Sequence, residues 1–166
     1  MNHFQVDIVM RPSVVQLLWS IHHARLDEYN KFTVGEDNPN ALESDIPEST
    51  LDVLVLEPHK ELNELAEKFP VRPTKMALFH LAPNAVIVPH VDADWYGRNT
   101  AVVFPLSNPF APTIVYEDGS PSYTDYPDAY AFSTQAMHGV ENNEHERLSL
   151  QLWFKENCDE LKTLMV

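Results

Sequence analysis

Two histidines and one aspartate have the residue types and the spacing that suit a metal ion. His90 and Asp92 form a His-x-Asp pair in the stretch Pro89-His90-Val91-Asp92. In an extended segment the side chains at i and i+2 point the same way, so this pair can bind one ion from one side. His138, in Met137-His138-Gly139, supplies a second imidazole from a distant part of the chain. The pattern predicts a metal site with two nitrogen ligands and one oxygen ligand.

The ligand set also indicates what such a metal would do. Two imidazoles and one carboxylate leave three positions open on an octahedral metal, which is how non-haem Fe(II) oxygenases hold a cosubstrate and O₂. Imidazole ligands favour iron, with zinc or manganese as the next choices, because Mg²⁺ and Ca²⁺ prefer oxygen ligands. His145 is a possible competitor of His138, although it lies in the polar segment 141–146. His-x-Asp alone is a weak signal, and His138 alone suits a buried core histidine equally well.

The elements that must position these residues show a change of period near residue 75. Before it, a capping box at Ser13 and Gln16 predicts a helix over 13–29, and Pro58 is suited to begin a second helix over 58–69. After it, apolar and polar residues alternate, as expected for half-buried strands. The candidate strands are 75–82, 84–88, 99–106, 113–117, 129–133 and 146–154. Together they predict a mainly β sandwich or barrel with flanking helices.

The last candidate strand has two different faces. Leu148, Leu150 and Leu152 lie on one face with Phe154, and we expect them to be buried against the N-terminal helices. The other face carries Arg147, Ser149, Gln151 and Trp153, as the wall of a polar pocket would. We therefore expect one domain over 1–166, in which a helical part over about 1–70 packs on a β core over about 75–156.

Composition excludes several classes of function. The chain has 25 acidic and 11 basic side chains, a net charge of −14, which opposes binding to nucleic acid or to an anionic membrane. Its four glycines are too far apart for a dinucleotide fingerprint or a phosphate-binding loop. The single cysteine, Cys158, excludes an internal disulfide, and no apolar run reaches the roughly 18 residues of a membrane span. No signal peptide is recognisable at the N-terminus, so we expect a cytoplasmic protein.

The order His90-x-Asp92, His138, Arg147 and Ser149 resembles that of the 2-oxoglutarate- and Fe(II)-dependent dioxygenases. The segment 97–106 (GRNTAVVFPL) is similar to the strand that follows His-x-Asp in prolyl-hydroxylase-like members, and Arg147-Leu148-Ser149 is similar to the Arg-x-Ser cosubstrate motif. The resemblance covers about residues 75–156. It implies a double-stranded β-helix, a jelly-roll core of the cupin type, with the metal at its open end.

By this resemblance His90, Asp92 and His138 bind Fe(II), while Arg147 and Ser149 bind the distal carboxylate of 2-oxoglutarate. A guanidinium can meet a carboxylate with two parallel hydrogen bonds, which agrees with that role. Trp95, Tyr96 and Arg98 follow the iron-binding turn and are candidate substrate residues. The alternative for Trp95 and Tyr96 is packing against the acidic segment 36–50. The alternative for Arg147 is a surface ion pair with Glu144 or Glu146.

The resemblance implies an oxygenase that uses O₂ and 2-oxoglutarate to hydroxylate a small molecule, an amino acid or a peptide side chain. A cupin-like protein that holds zinc or nickel without turnover is the alternative. A zinc hydrolase ranks last, because the triad lacks a neighbouring general base. Arg147 discriminates between these hypotheses, since neither a metal-binding protein nor a hydrolase requires it.

Overall fold

The computed structural model describes residues 1–34, 41, 49–92, 97–107, 112–126 and 128–166. In these ranges the chain forms strands β1 to β11 and helices α1 to α3. The strands are β1 His3–Gln5, β2 Asn30–Phe32, β3 Leu51–Val55, β4 Lys75–Leu81, β5 Val86–His90, β6 Thr100–Pro105, β7 Thr113–Glu117, β8 Ser120–Tyr123, β9 Tyr130–Ser133, β10 His138–Glu141 and β11 Arg147–Phe154. The helices are α1 Pro12–Ala24, α2 Lys60–Ala66 and α3 Cys158–Met165.

The strands form two antiparallel sheets whose order is that of a double-stranded β-helix. The larger sheet has seven strands in the order β1-β9-β6-β11-β4-β3-β2, and the smaller has four in the order β5-β10-β7-β8. From β4 onward the chain alternates between the sheets, apart from the β7–β8 hairpin, and β10 and β11 lie in different sheets. The mainly β jelly-roll fold expected from the sequence is confirmed, and the segment 142–146 is a crossover rather than a hairpin turn.

The N-terminal part differs from the mostly helical expectation. It also contributes β1, β2 and β3, which extend the larger sheet beyond the four central strands β9, β6, β11 and β4. β1 pairs with β9, and β3 pairs with β4. β1 and β2 have three residues each, too few for a local alternation pattern to reveal them. β3 has five residues, as many as β5 and β7, and is a strand that the sequence analysis missed.

The outer face of β11 carries the main core. Leu148, Leu150 and Leu152 are each fully buried and belong to one cluster with side chains from all three helices. The helical members of that cluster include Val14 and Leu18 of α1, Leu62 and Leu65 of α2, and Leu161 of α3. The expectation that this leucine face packs against the N-terminal helices is confirmed.

The helix ends differ from the sequence predictions for local reasons. The capping box at Ser13 does not form, because α1 begins one residue earlier at Pro12, which occupies its first turn. α2 begins at Lys60, and the preceding residue, His59, caps it by accepting a hydrogen bond from the Glu61 amide at 3.2 Å. α3, which the sequence analysis missed, begins with a capping box between Asn157 and Glu160. None of the helices in the described ranges is long and apolar enough to cross a membrane.

We expect Leu150→Ala to lower the free energy of unfolding by about 2–5 kcal/mol, because a fully buried side chain would leave a cavity. Urea denaturation measures this change. Leu26→Ala is the matched control: Leu26 is 59% exposed, and its truncation should cost less than about 0.5 kcal/mol. Equal effects of the two substitutions would contradict this account of the core.

Candidate metal centre

Strand pairing brings the two histidines together. β10 pairs with β5 so that His138 lies opposite His90, and the ring centroids are 4.3 Å apart. Asp92 follows the end of β5, where its backbone amide donates to the Thr134 carbonyl at 3.1 Å. One ligand atom from each of these three side chains lies within 4.8 Å of the others. No other such cluster of metal-ligating groups occurs in the described ranges.

The hydrogen bonds of the imidazoles aim both Nε2 atoms at Asp92. Nδ1 of His90 donates to the Val88 carbonyl, and Nδ1 of His138 donates to the Ala136 carbonyl, each at 2.8 Å. In a neutral ring this leaves Nε2 unprotonated, with a lone pair that can bind a metal. The Nε2 atoms of His90 and His138 lie 3.0 and 3.4 Å from Oδ1 of Asp92. Three electron-rich atoms converging in this way are suited to a divalent cation, and nitrogen and oxygen donors fit Fe(II).

Charge and burial favour the metal-binding protonation states of Asp92 and His138. Burial alone would raise the pKa of the Asp92 carboxyl, but the adjoining Arg98 guanidinium opposes it and holds that pKa well below its usual range. Burial lowers the pKa of His138 despite the opposing effect of Asp92. An ionised aspartate and a neutral histidine are the forms that bind a metal.

The candidate metal-ligating atoms face a cavity of about 340 Å³ between the two sheets. This volume is within the range of small-molecule sites. Besides the three ligand residues, the polar part of its described lining consists of Arg98, Thr113, Arg147 and Gln151. The rest of that lining is apolar or glycine, namely Phe32, Val34, Leu51, Val53, Phe79, Leu81, Ile87, Phe132, Gly139 and Val140.

Arg147 reaches this cavity from the first position of β11. It is 7% exposed, and its Nη2 donates to the Tyr130 hydroxyl at 2.9 Å. That hydroxyl also lies 3.0 Å from Oγ1 of Thr113. The guanidinium has no carboxylate partner among the described residues, since Glu144 lies beside His145 and Glu146 beside His80. The surface ion pair considered for Arg147 is therefore wrong.

The other predicted site residues have different positions. Ser149 is 1% exposed, and its Oγ has no hydrogen-bond partner among the described residues, yet it is not one of the residues that line the cavity. Arg98 does line the cavity, but it lies against Asp92 instead of at a rim. Trp95 and Tyr96 lie outside the described residues.

Sequence reasoning missed the partners that hold the arginines. Strand alternation places Gln151 on the same face of β11 as Arg147, but it does not show that Gln151 accepts a hydrogen bond from Arg98, at 2.7 Å. Tyr130 has no comparable signal, because it meets Arg147 only through the side-by-side packing of β9, β6 and β11. Phe32 and Leu51 were missed because β2 and β3 were not expected.

Comparison with known proteins finds similar structures but no match to a protein family or to a curated protein by sequence. No protein-family model matches the chain, and neither does any curated protein. Among solved structures, a prolyl-4-hydroxylase from Pseudomonas putida superposes with a TM-score of 0.65 at 15% identity, over 94% of this chain and 93% of that one. The chain has the fold of the 2-oxoglutarate- and Fe(II)-dependent oxygenases.

Two further structures show how widely this fold is used. A prolyl hydroxylase from Trichoplax adhaerens, in complex with a hypoxia-inducible-factor peptide fragment, has a TM-score of 0.64 at 11% identity, over 99% of this chain and 86% of that one. The epimerase SnoN, in complex with Fe³⁺, α-ketoglutarate and a nogalamycin compound, has a TM-score of 0.55 at 15% identity, over 91% and 77%. The fold therefore serves different substrates, and function must be argued from the site.

Gly139 allows β10 to approach β5 beside the metal ligands. A Cβ atom at this position would lie 2.7 Å from the Ile87 carbonyl oxygen and 3.1 Å from the Pro89 nitrogen. Both neighbours are backbone atoms of the strand that carries His90, so a methyl group would force the two strands apart.

We expect Gly139→Ala to weaken Co²⁺ binding at least about tenfold, because a misplaced ligand typically costs 10–100-fold in metal affinity. Titration of the metal-free protein with Co²⁺, followed by absorption, measures the change. Val140→Ala is the control, since it alters the next residue without adding an atom near β5. Unchanged Co²⁺ affinity in Gly139→Ala would show that the approach of the strands does not set the ligand geometry.

Proposed function

We propose that the protein is a non-haem Fe(II) oxygenase that couples the oxidative decarboxylation of 2-oxoglutarate to hydroxylation of a second substrate. The overall reaction converts R–H, 2-oxoglutarate and O₂ to R–OH, succinate and CO₂. The observation that carries this proposal is that the two-histidine, one-aspartate cluster and the buried cation Arg147 face the same cavity. A metal-binding site alone needs no such cation.

The chain's own residues supply binding and orientation. His90, Asp92 and His138 would hold Fe(II), which supplies the activation of O₂ when bound. Arg147 would bind the distal carboxylate of 2-oxoglutarate, and Tyr130 orients the guanidinium through its hydroxyl. Ser149, with its unpartnered Oγ two residues along the same face of β11, is the predicted second contact. A buried guanidinium that has no carboxylate partner among the described residues favours an anionic ligand, because an uncompensated charge is costly in a protein interior.

The part of the cavity wall that β2 and β3 contribute indicates which kind of substrate group the cavity accepts. Phe32, Leu51 and Val53 are apolar, and they belong to the N-terminal part of the chain. Each described arginine that lines the cavity already has a role with Asp92 or in cosubstrate binding. We therefore propose that a small molecule, an amino acid or a peptide side chain presents an uncharged, largely apolar group to the iron. The proposed site of action is the cytoplasm.

We expect Arg147→Ala to weaken 2-oxoglutarate binding about 30-fold to several thousandfold, because loss of one partner of a buried charge pair costs about 2–5 kcal/mol. Arg147→Lys should be intermediate, since it keeps the charge but loses the planar fork. Tyr130→Phe should cost about tenfold or less, the usual net value of one hydrogen bond. Anaerobic titration of the Fe(II) protein with 2-oxoglutarate, followed by metal-to-ligand charge-transfer absorption, measures all three.

Two controls accompany this titration. Arg11→Ala removes an arginine whose side chain is 68% exposed and should leave 2-oxoglutarate affinity unchanged. The Fe(II) affinity of Arg147→Ala should also match that of the wild type, because the three ligands remain in place. Equal 2-oxoglutarate affinity in wild type and Arg147→Ala would reject the cosubstrate role. A cupin-like metal-binding protein without turnover would then be the better account.

A further inference from the structure

We propose that Arg98 is the positioning residue of the metal carboxylate: it holds one oxygen of Asp92, so that Asp92 binds the metal through the other oxygen alone. This inference rests on the metal-binding part of the proposed function and not on 2-oxoglutarate turnover. The sequence suggested a substrate role for Arg98, and the structure places its guanidinium on a metal ligand instead.

The contacts divide the two oxygens of Asp92 between different partners. Nη1 of Arg98 contacts Oδ2 of Asp92. Oδ1 faces His90 and His138, at 3.0 and 3.4 Å from their Nε2 atoms. The carboxylate therefore has one oxygen committed to the arginine and one available to a metal.

Arg98 is itself held on three sides. Its Nη2 donates to Oε1 of Gln151 at 2.7 Å, and that oxygen also lies 3.4 Å from Nε1 of Trp153. The guanidinium lies over the rings of Trp153 and Phe79, at 5.1 and 5.6 Å from their centroids. Arg98 is only 6% exposed. A planar cation packed against two aromatic rings and held by hydrogen bonds has little freedom to turn away from Asp92.

The backbones of the two residues are anchored to the same place. The Asp92 amide donates to the Thr134 carbonyl at 3.1 Å, and the Thr134 hydroxyl donates to the Arg98 carbonyl at 2.7 Å. Gly97, with φ of +63°, provides the left-handed turn that leads into Arg98. Hydrogen bonds to Thr134 therefore fix the backbones of both partners of the ion pair, so the position of Asp92 does not depend on a bound metal.

The arrangement has two consequences for a bound metal. A carboxylate that binds through both oxygens occupies two coordination positions, and holding Oδ2 prevents this. Three positions then stay open on an octahedral ion, as a bidentate cosubstrate plus O₂ require. The guanidinium also places a second positive charge beside the metal, which increases the attraction of the site for an anionic ligand.

The test is Co²⁺ binding to the metal-free protein, which requires neither cosubstrate nor activity. We expect Arg98→Gln to weaken Co²⁺ binding about 10–100-fold, the usual cost of losing a partner of a metal ligand. We also expect it to change the visible Co²⁺ spectrum, since its intensity and position depend on the coordination number. Arg98→Lys keeps the charge on Asp92 and should recover part of the affinity and most of the wild-type spectrum. Arg11→Gln is the control, because it makes the same replacement at an arginine whose side chain is 68% exposed and should leave Co²⁺ binding unchanged.

A third variant covers the case in which Arg98→Gln does not fold. Gln151→Met leaves Arg98 in place but removes its hydrogen-bond acceptor, and it should weaken Co²⁺ binding by severalfold, with the same direction of spectral change. Wild-type Co²⁺ affinity and spectrum in a folded Arg98→Gln, or in Gln151→Met if Arg98→Gln is unfolded, would overturn the inference.

The same samples separate this inference from the proposed function. A wild-type protein that binds Co²⁺ but gives no spectral response to 2-oxoglutarate would reject the oxygenase proposal and leave the Arg98 test valid. A wild-type protein that binds no Co²⁺ would reject both. An Arg98→Gln variant with normal Co²⁺ and 2-oxoglutarate binding would overturn the inference and favour the sequence-based expectation that Arg98 contacts the substrate.

Discussion

The antiparallel pairing of β5 with β10 is the constraint on which the site depends. It places His90 opposite His138, and each imidazole is then locked by a hydrogen bond from Nδ1 to a backbone carbonyl. Because the backbone sets both rings, the direction of the Nε2 lone pairs is a property of the sheet. The absence of a side chain at Gly139 is what permits this approach. The strand pairing that stabilises the smaller sheet therefore also sets the geometry of the candidate metal ligands.

β11 joins the site to the core. Its outer face carries leucines that are fully buried beneath the helices, and its inner face carries Arg147, Ser149 and Gln151. The many apolar contacts of the outer face keep the strand in one register, because a slip of one residue would exchange the two faces. The same register determines which side chains point at Arg98 and which point into the cavity. Burial of the leucines thus positions the polar side chains of the inner face.

Charge is distributed unevenly in this acidic chain. Its net charge is −14, yet the two arginines that line the cavity are both more than nine-tenths buried. Arg98 is balanced by Asp92, whereas the partner of Arg147 among the described residues is the neutral Tyr130 hydroxyl. This buried cation, without a carboxylate partner in the described ranges, is the feature that supports the proposed binding of an anionic cosubstrate. An acidic surface also makes binding of such an anion depend on these local cations, since the overall field opposes it.

The sequence by itself determined the ligand types, the two-faced character of β11 and the β pattern after residue 75. These are local properties, since side-chain chemistry and alternation along a strand can be recognised from neighbouring residues. The mainly β jelly-roll followed from that pattern together with a family resemblance, and the structure confirms it. The capping box at Asn157 and Glu160 was also present in the sequence, but it was not recognised as the start of α3.

Only the tertiary structure decided which residues position Arg147 and the candidate metal ligand Asp92. Tyr130 reaches Arg147 across neighbouring strands, and Gln151 reaches Arg98 across a separation of 53 residues. Arg98 was expected near a substrate, and its pairing with Asp92 depends on the turn at Gly97 and on the position of Thr134. The strands β2 and β3 add Phe32 and Leu51 to the cavity wall through the pairing of β2 with β3 and of β3 with β4. The physical reason is that such contacts are set by the packing of distant strands, which no local pattern of residues encodes.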